Sequence, residues 1–147
     1  MSYSHQILLA EDDDQYAFLT QLALEQAGIE GAPIVLPTEE EVIAYMAGER
    51  QYADRETYPI PAVLILATRL PLMANFKALR WVRQHKKFDH VRILVLSGVE
   101  YNRERAVARE LGADCYHGKP SDFEDLVAIA QSVRQRWLDP HPDQAAA

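Results

Sequence analysis

The chain has 147 residues, of which 48% are hydrophobic, the size and composition of one ordinary domain with a single core. Its 22 acidic and 15 basic residues give a formal net charge of −7, and such a surface repels duplex nucleic acid. No apolar run approaches the roughly 18 residues that span a bilayer, and the first residues do not resemble a signal peptide. We therefore expect a cytoplasmic protein with neither nucleic acid nor a membrane as partner.

Short apolar runs alternate with longer stretches of helical period, a pattern typical of strand-helix units around a parallel sheet. The pattern predicts five strands and five helices in one domain over residues 1–138, followed by a disordered tail over 139–147. The predicted strands are 7–10, 32–36, 62–66, 91–96 and 113–117. The single cysteine, Cys115, falls in the last of them, where we expect a small buried side chain.

Capping residues mark the ends of the predicted helices. We expect Asp14 to cap the first helix, which ends at Gly28. One face of this helix is predicted to carry Leu19, Leu22, Ala23, Gln26 and Ala27. Capping boxes are predicted at the second and fifth helices, formed by Thr38 with Glu41 and by Ser121 with Glu124.

Polar side chains follow the predicted strands at the point where each strand ends. Glu11 and Asp12 follow the first strand, Ala67 follows the third, Ser97 follows the fourth and Lys119 follows the fifth. Ligands of doubly wound sheets bind at the carboxyl ends of the strands, where the loops converge. The sequence therefore places carboxylates, a hydroxyl and a lysine around one pocket.

This constellation resembles the receiver domain of bacterial two-component response regulators, over residues 5–138. In that family an acidic pair, here Glu11 and Asp12, helps to hold Mg²⁺, while Ser97 and Lys119 match the residues that contact the phosphoryl group. Ser97 follows Ala67 by 30 residues and Lys119 follows Ser97 by 22, as in the family. The resemblance implies an α/β fold of the flavodoxin-like (CheY-like) type, a doubly wound five-stranded parallel sheet in the order 2-1-3-4-5 with five helices.

Two further segments resemble the stand-alone receivers associated with bacterial phytochrome kinases. They are the sequence RQYADR in the loop before the third strand and the C-terminal Arg136-Trp137-Leu138. The resemblance implies a histidine kinase or a phytochrome-like photoreceptor as partner.

The match fails at the phosphate-accepting aspartate, because Ala67 stands at the end of the third strand where the family carries that residue. A methyl group can neither attack a phosphodonor nor bridge to Mg²⁺. Ala74 and Asn75 also replace the family's usual Asp-Gly, which favours natural degeneration over an engineered change. We expect an atypical receiver that is not an enzyme and has no catalytic residue or cofactor. It would act through phosphorylation-independent protein-protein interaction.

Several alternatives stay open from the residues alone. Asp13 could accept the phosphoryl group in place of the missing aspartate, or the chain could be a flavodoxin-like binder of a small molecule. Glu11 and Asp12 could hold Mg²⁺ weakly. The structural alternative to a metal is an ion pair between Asp12 and Lys119, and we expect no metal.

The last helix predicts an interaction surface. Phe123, Leu126, Val127, Ala130, Val133 and Trp137 lie on one apolar stripe. Ile129 lies beside that stripe, and we expect Ile129 and Val133 to reach a flank that a monomer leaves uncovered. Tyr116 is the family's switch aromatic, and Tyr101 and Trp137 are candidate anchors. Together these residues predict a symmetric homodimer through the fourth helix, fifth strand and fifth helix.

Overall fold

The computed structural model describes residues 5–67, 76–98 and 102–139. All five predicted strands are present and parallel, and they form one sheet in the order β2-β1-β3-β4-β5, which confirms the predicted topology. The strands are β1 (Ile7–Ala10), β2 (Ile34–Leu36), β3 (Val63–Leu66), β4 (Arg92–Ser97) and β5 (Cys115–Gly118). The α-helices are α1 (Asp14–Gln26), α2 (Glu39–Ala47), α3 (Lys77–Gln84), α4 (Asn102–Glu110) and α5 (Phe123–Val133).

Three short helices complete the described part of the chain, at Arg50–Ala53, Lys86–Phe88 and Arg134–Leu138. Except for Asp139, the predicted tail lies outside the described residues. In the described ranges no helix is both long and apolar enough to cross a membrane.

Side chains of the central strands alternate between two cores, one on each face of the sheet. Leu8 and Leu64 point to the face covered by α2, α3 and α4. Leu9 and Ile65 point to the face covered by α1 and α5. Because both faces are covered, β1 and β3 consist entirely of buried apolar residues.

The first helix differs from its prediction at both its start and its buried face. Asp13, not Asp14, is the N-cap, and its carboxylate accepts hydrogen bonds from the amides of Gln15 at 2.9 Å and Tyr16 at 3.2 Å. Leu19 and Leu22, predicted on one face with Ala23 and Ala27, are 41% and 36% exposed, whereas the two alanines are buried. The buried residues of the helix are Ala17, Thr20, Ala23 and Leu24.

The two predicted capping boxes have different outcomes. Thr38 caps α2 as predicted, accepting from the amide of Glu41 at 3.1 Å, and Gly48 ends that helix at φ 73°. The prediction for Ser121 is wrong. Helix α5 begins at Phe123 with Asp122 as N-cap, so Ser121 lies one residue outside the turn that it was expected to cap.

The long segment between α2 and β3 is anchored to the core. The rings of Tyr45, Tyr52 and Tyr58 pack together, with centroids 5.0 to 6.0 Å apart. The guanidinium of Arg55 donates to the carbonyls of Tyr45 and Met46, both at 2.8 Å, and to that of Tyr58 at 3.3 Å. This segment therefore packs as part of the domain.

The prediction that Val133 lies on an uncovered flank of α5 is wrong, because this side chain is only 3% exposed. Ile129 is partly buried and packs against the same core, because α1 lies beside α5 and covers this side. Arg134 joins the two helices by donating to the carbonyl of Ala27 at 2.6 Å. The apolar stripe of α5 is therefore used inside the domain.

Candidate functional site

The predicted pocket residues meet at the carboxyl edge of the sheet. Strand register places Ala10 opposite Leu66, and backbone hydrogen bonds continue beyond the strand ends. The amide of Ala67 donates to the carbonyl of Ala10 at 2.8 Å, and the amide of Lys119 donates to that of Ser97 at 2.6 Å. Glu11, Ala67, Ser97 and Lys119 are thus held side by side by backbone geometry.

An ion pair between Lys119 and Glu11 is the main electrostatic feature of this edge. The Lys119 Nζ lies 2.9 Å from Glu11 Oε1, and the two side chains are 9% and 0% exposed. The second oxygen of Glu11 accepts from the amide of Asp13 at 3.2 Å. The predicted pairing of Lys119 with Asp12 is wrong, because Glu11 turns inward at the strand end and the next residue, Asp12, is exposed.

Burial and charge shift the titration of two groups at this edge. Burial raises the pKa of Glu11 above its ordinary value, against the hydrogen bond and the positive charge of Lys119. Burial and the charge of Glu11 raise the pKa of Tyr16 to about 12. The Tyr16 hydroxyl donates to the carbonyl of Pro120 at 3.1 Å, and its ring centroid lies 4.7 Å from Lys119 Nζ. Tyr16 therefore covers the ion pair on the α1 side.

The remaining predicted positions offer little acid-base chemistry. Ala67 is fully buried and presents a methyl group. Asp13 is occupied as the N-cap of α1. Ser97 is buried, at 3% exposure, at the end of β4. Across the described ranges, no three or more His, Cys, Asp or Glu side chains lie close enough together to hold a metal ion.

The predicted aromatic positions fall in different environments. Tyr116 is 5% exposed, and the guanidinium carbon of Arg105 lies 5.3 Å from its ring centroid. Trp137 is partly buried against the α1–α5 core. Tyr101 lies outside the described residues.

Sequence reasoning missed two structural features of α1. Tyr16 was not recognised as the cover of the ion pair, although its place three residues after the N-cap Asp13 directs it to the carboxyl edge. Phe18, 61% exposed, is the most exposed large apolar side chain described, and with Leu19 and Leu22 it forms an apolar patch. Three large apolar residues in one helix suggested a core face, and only the tertiary packing shows that they point outward.

Comparisons with known proteins agree with this architecture. No protein-family model matches the chain. It is 28% identical over 134 residues to the response regulator Rcp1 of Synechocystis, covering 90% of this chain and 88% of Rcp1. It spans about half the length of other curated relatives, such as the transcriptional regulatory protein GltR of Pseudomonas aeruginosa (49%).

Solved structures are similar as well. The response regulator RPA3017 in red light signaling of R. palustris superposes with a TM-score of 0.81 at 24% identity, over 92% of this chain and 95% of that one. The bacteriophytochrome response regulator RtBRR superposes with a TM-score of 0.71 at 27% identity, over 97% and 87%.

The sheet order and these similarities show that the chain has the fold of, and is similar to, the receiver domains of two-component response regulators. Among these proteins, it is similar to the response regulator Rcp1 and to the bacteriophytochrome response regulator RtBRR.

Proposed function

We propose that this receiver signals without phosphorylation, as a binding module whose acceptor position is held by Ala67. The ion pair between Glu11 and Lys119 is the observation that carries the proposal. A lysine that serves a phosphoryl group must present its ammonium to it. Here that charge is already neutralised inside the domain, and Ala67 supplies no nucleophile beside it.

Phosphorylation of Asp13 is the enzymatic alternative, and the hydrogen bonds of this residue weigh against it. Its carboxylate accepts from two backbone amides at the start of α1. Both bonds go to Oδ1, so they fix the orientation of the carboxylate at the start of α1. Turning the carboxylate toward a phosphodonor would break them and cost roughly 1 kcal/mol, the typical value of an N-cap.

A flavodoxin-like small-molecule function has less support. The apolar cavity between the sheet, α1 and α5 has a volume of only about 10 Å³, room for at most one water molecule. Two larger depressions, of about 450 and 240 Å³, lie on the outer side of α1 and beside the start of β1, away from the carboxyl edge where ligands of such sheets bind.

The proposed partner is a histidine kinase or a phytochrome-like photoreceptor, and the exposed patch of α1 is the surface proposed for it. Phe18, Leu19 and Leu22 stand between Asp14 at the start of the helix and Glu25 near its end. Helix α1 contains no Lys or Arg. An apolar helical surface flanked by basic residues would complement this patch in both shape and charge.

A homodimer through α4, β5 and α5 is the second part of the proposal. Since Val133 lies in the core, the large apolar side chain that the described part of α4, β5 and α5 exposes most is that of Val107, at 37%. Helix α4 also exposes Arg103 and Arg109.

Acidic residues on α5 complete the proposed interface. The first turn of α5 contains Glu124 and Asp125, both exposed. A two-fold arrangement can set these acids against the arginines of α4 in the other copy. The charges of this surface are therefore self-complementary, whereas two α1 patches would bring like charges together.

Intact mass measurement after incubation with a small acyl-phosphate donor and Mg²⁺ tests the first part. We expect the mass to stay unchanged. A stable adduct of one phosphoryl group would refute phosphorylation-independent action, and an adduct that disappears in Asp13→Asn would establish the alternative.

Sedimentation tests the dimer, with Val107→Lys as the disrupting variant. Val35→Lys is the matched control, because Val35 is 38% exposed but lies on β2, at the opposite edge of the sheet. We expect the unmodified chain and the control to sediment as dimers at micromolar concentration and Val107→Lys as a monomer. A monomeric unmodified chain, or equal dimerisation of all three, would exclude the interface.

A further inference from the structure

A cluster of three reactive or charged groups lies on β5, apart from the Glu11–Lys119 pair. Cys115 and His117 are two residues apart on this strand, so their side chains share one face of the sheet. The Cys115 Sγ lies 3.3 Å from His117 Nε2. Arg136, from the C-terminal short helix, donates to the same sulfur at 3.9 Å.

Cys115 lies at an edge of the sheet. Strand β5 is an edge strand, with a neighbour on one side only. Cys115 was predicted to be buried, but it is only partly buried, and it packs against the α1–α5 core from this edge. We therefore expect a small reagent to reach the thiol.

The cluster favours the thiolate form of Cys115. The hydrogen bond between His117 and the sulfur lowers the pKa of the thiol, burial opposes this, and the charges of His117 and Arg136 lower the pKa further. The thiolate is the nucleophilic form of cysteine, and nearby His or Arg side chains are a common cause of its stabilisation.

We propose that Cys115, His117 and Arg136 form a modification site that reacts with small hydroperoxides. His117 Nε2 takes the thiol proton, and the sulfur attacks one peroxide oxygen. The S–O bond forms as the O–O bond breaks. The sulfur is oxidised by two electrons to sulfenic acid, and the departing hydroxide or alkoxide receives the proton from His117.

The sequence limits what the product can do. Cys115 is the single cysteine of the chain, so the sulfenic acid has no internal thiol with which to form a disulfide. It stays as sulfenic acid or is capped by an external thiol. Either product removes the negative charge that faces Arg136, and so weakens the link between β5 and the C-terminal short helix.

Alkylation of the intact chain with iodoacetamide across a pH range tests the activation. We expect the rate to reach half its maximum below about pH 8.5, the value of an unperturbed cysteine. His117→Asn should move this midpoint upward and slow alkylation at pH 7 by roughly five- to tenfold. Arg136→Gln should move it by less. His5→Asn is the control, because His5 is exposed and precedes β1, which is separated from β5 by two strands.

A second measurement tests the hydroperoxide reaction itself. Hydrogen peroxide with dimedone should give one adduct on the unmodified chain and none on Cys115→Ser. A midpoint at or above that of free cysteine, or no dimedone adduct, would overturn the proposal. If circular dichroism shows that His117→Asn does not fold, the alkylation midpoints of the unmodified chain and of Arg136→Gln test the proposal instead. The midpoint of the unmodified chain must then lie below that of free cysteine and below that of Arg136→Gln.

Discussion

Arg83 and Gly112 lie in direct contact at the end of the domain opposite the candidate site. The Arg83 Nε donates to the Gly112 carbonyl at 2.9 Å, and a Cβ on Gly112 would lie 2.7 Å from Arg83 Cγ. The guanidinium also donates to the carbonyls of Phe88 and Val91 and to Asp114. Arg83 therefore joins the end of α3, the start of β4 and the turn before β5. Moving its side chain aside would break these hydrogen bonds.

Gly112→Ala should lower the free energy of unfolding by roughly 2–4 kcal/mol, because a side chain at φ 108° is strained and the added methyl group strikes Arg83. Gly31→Ala is the control. Gly31 has φ 83°, and no atom lies within 4 Å of the position that a Cβ would take. Gly31→Ala should therefore lower the free energy of unfolding by only about 1 kcal/mol. Urea denaturation of both variants measures the difference, and equal losses would contradict the role given to Arg83.

Lys119→Met should destabilise the domain by roughly 3 kcal/mol, because it leaves the carboxylate of Glu11 buried without its partner. Glu11→Gln in the same chain should recover part of this loss, since the uncompensated charge is then gone. Chemical denaturation of the two single variants and the double variant gives the coupling energy. Strictly additive losses would mean that the two side chains do not interact.

The raised pKa of Glu11 predicts a pH dependence with an unusual sign for a carboxylate. A group that binds its proton more tightly when folded than when unfolded adds stability at low pH and loses it as pH rises through its folded pKa. The stability of the unmodified chain relative to Glu11→Gln should therefore fall as pH rises above about 4.5, the ordinary value. Denaturation midpoints of both chains across this range test the sign, and a rising difference would contradict it.

Ala67→Asp should not restore an ordinary receiver. The new carboxylate would enter a fully buried position beside a Glu11 that already pairs with Lys119. Ala74 and Asn75, which differ from the family pattern, lie outside the described residues and stay changed. We expect phosphorylation from a small donor to be at least roughly tenfold slower than in a typical receiver. Mass spectrometry over time measures it, and an ordinary rate would show that only the nucleophile was missing.

Mg²⁺ should bind the unmodified chain only weakly. One oxygen of Glu11 faces Lys119, Ala67 contributes no ligand, and Mg²⁺ sites usually combine carboxylates with substrate phosphates. Calorimetric titration should show no saturation below about 1 mM. Sub-millimolar affinity would mean that the metal displaces the lysine.

Much of the fold could be predicted from the sequence because strand periodicity and strand ends depend on local pattern. The runs that became β1 and β3 are continuous apolar segments, and buried parallel strands require such segments. Knowing where they end was enough to place Glu11, Ser97 and Lys119 at one edge.

The errors arose where packing, not pattern, decides the outcome. Leu22 looks like a core residue beside Ala23, but the closeness of α1 to the sheet selects the smaller side chain. Ile129 and Val133 were predicted to lie on an exposed flank, because the sequence does not reveal that α1 packs against α5. The choice of Glu11 over Asp12 as partner of Lys119 follows from side-chain alternation at the strand end, a signal that was present in the sequence.

The tyrosine cluster between α2 and β3 has a consequence for protein engineering. Segments that look like long surface loops are the usual places to shorten a chain or to insert a tag. Here Tyr45 is fully buried, its hydroxyl donates to the carbonyl of Pro59 at 2.8 Å, and Tyr52 packs on its ring. Cutting this segment would open the α2 side of the hydrophobic core to water, so a reporter or affinity label is better fused elsewhere.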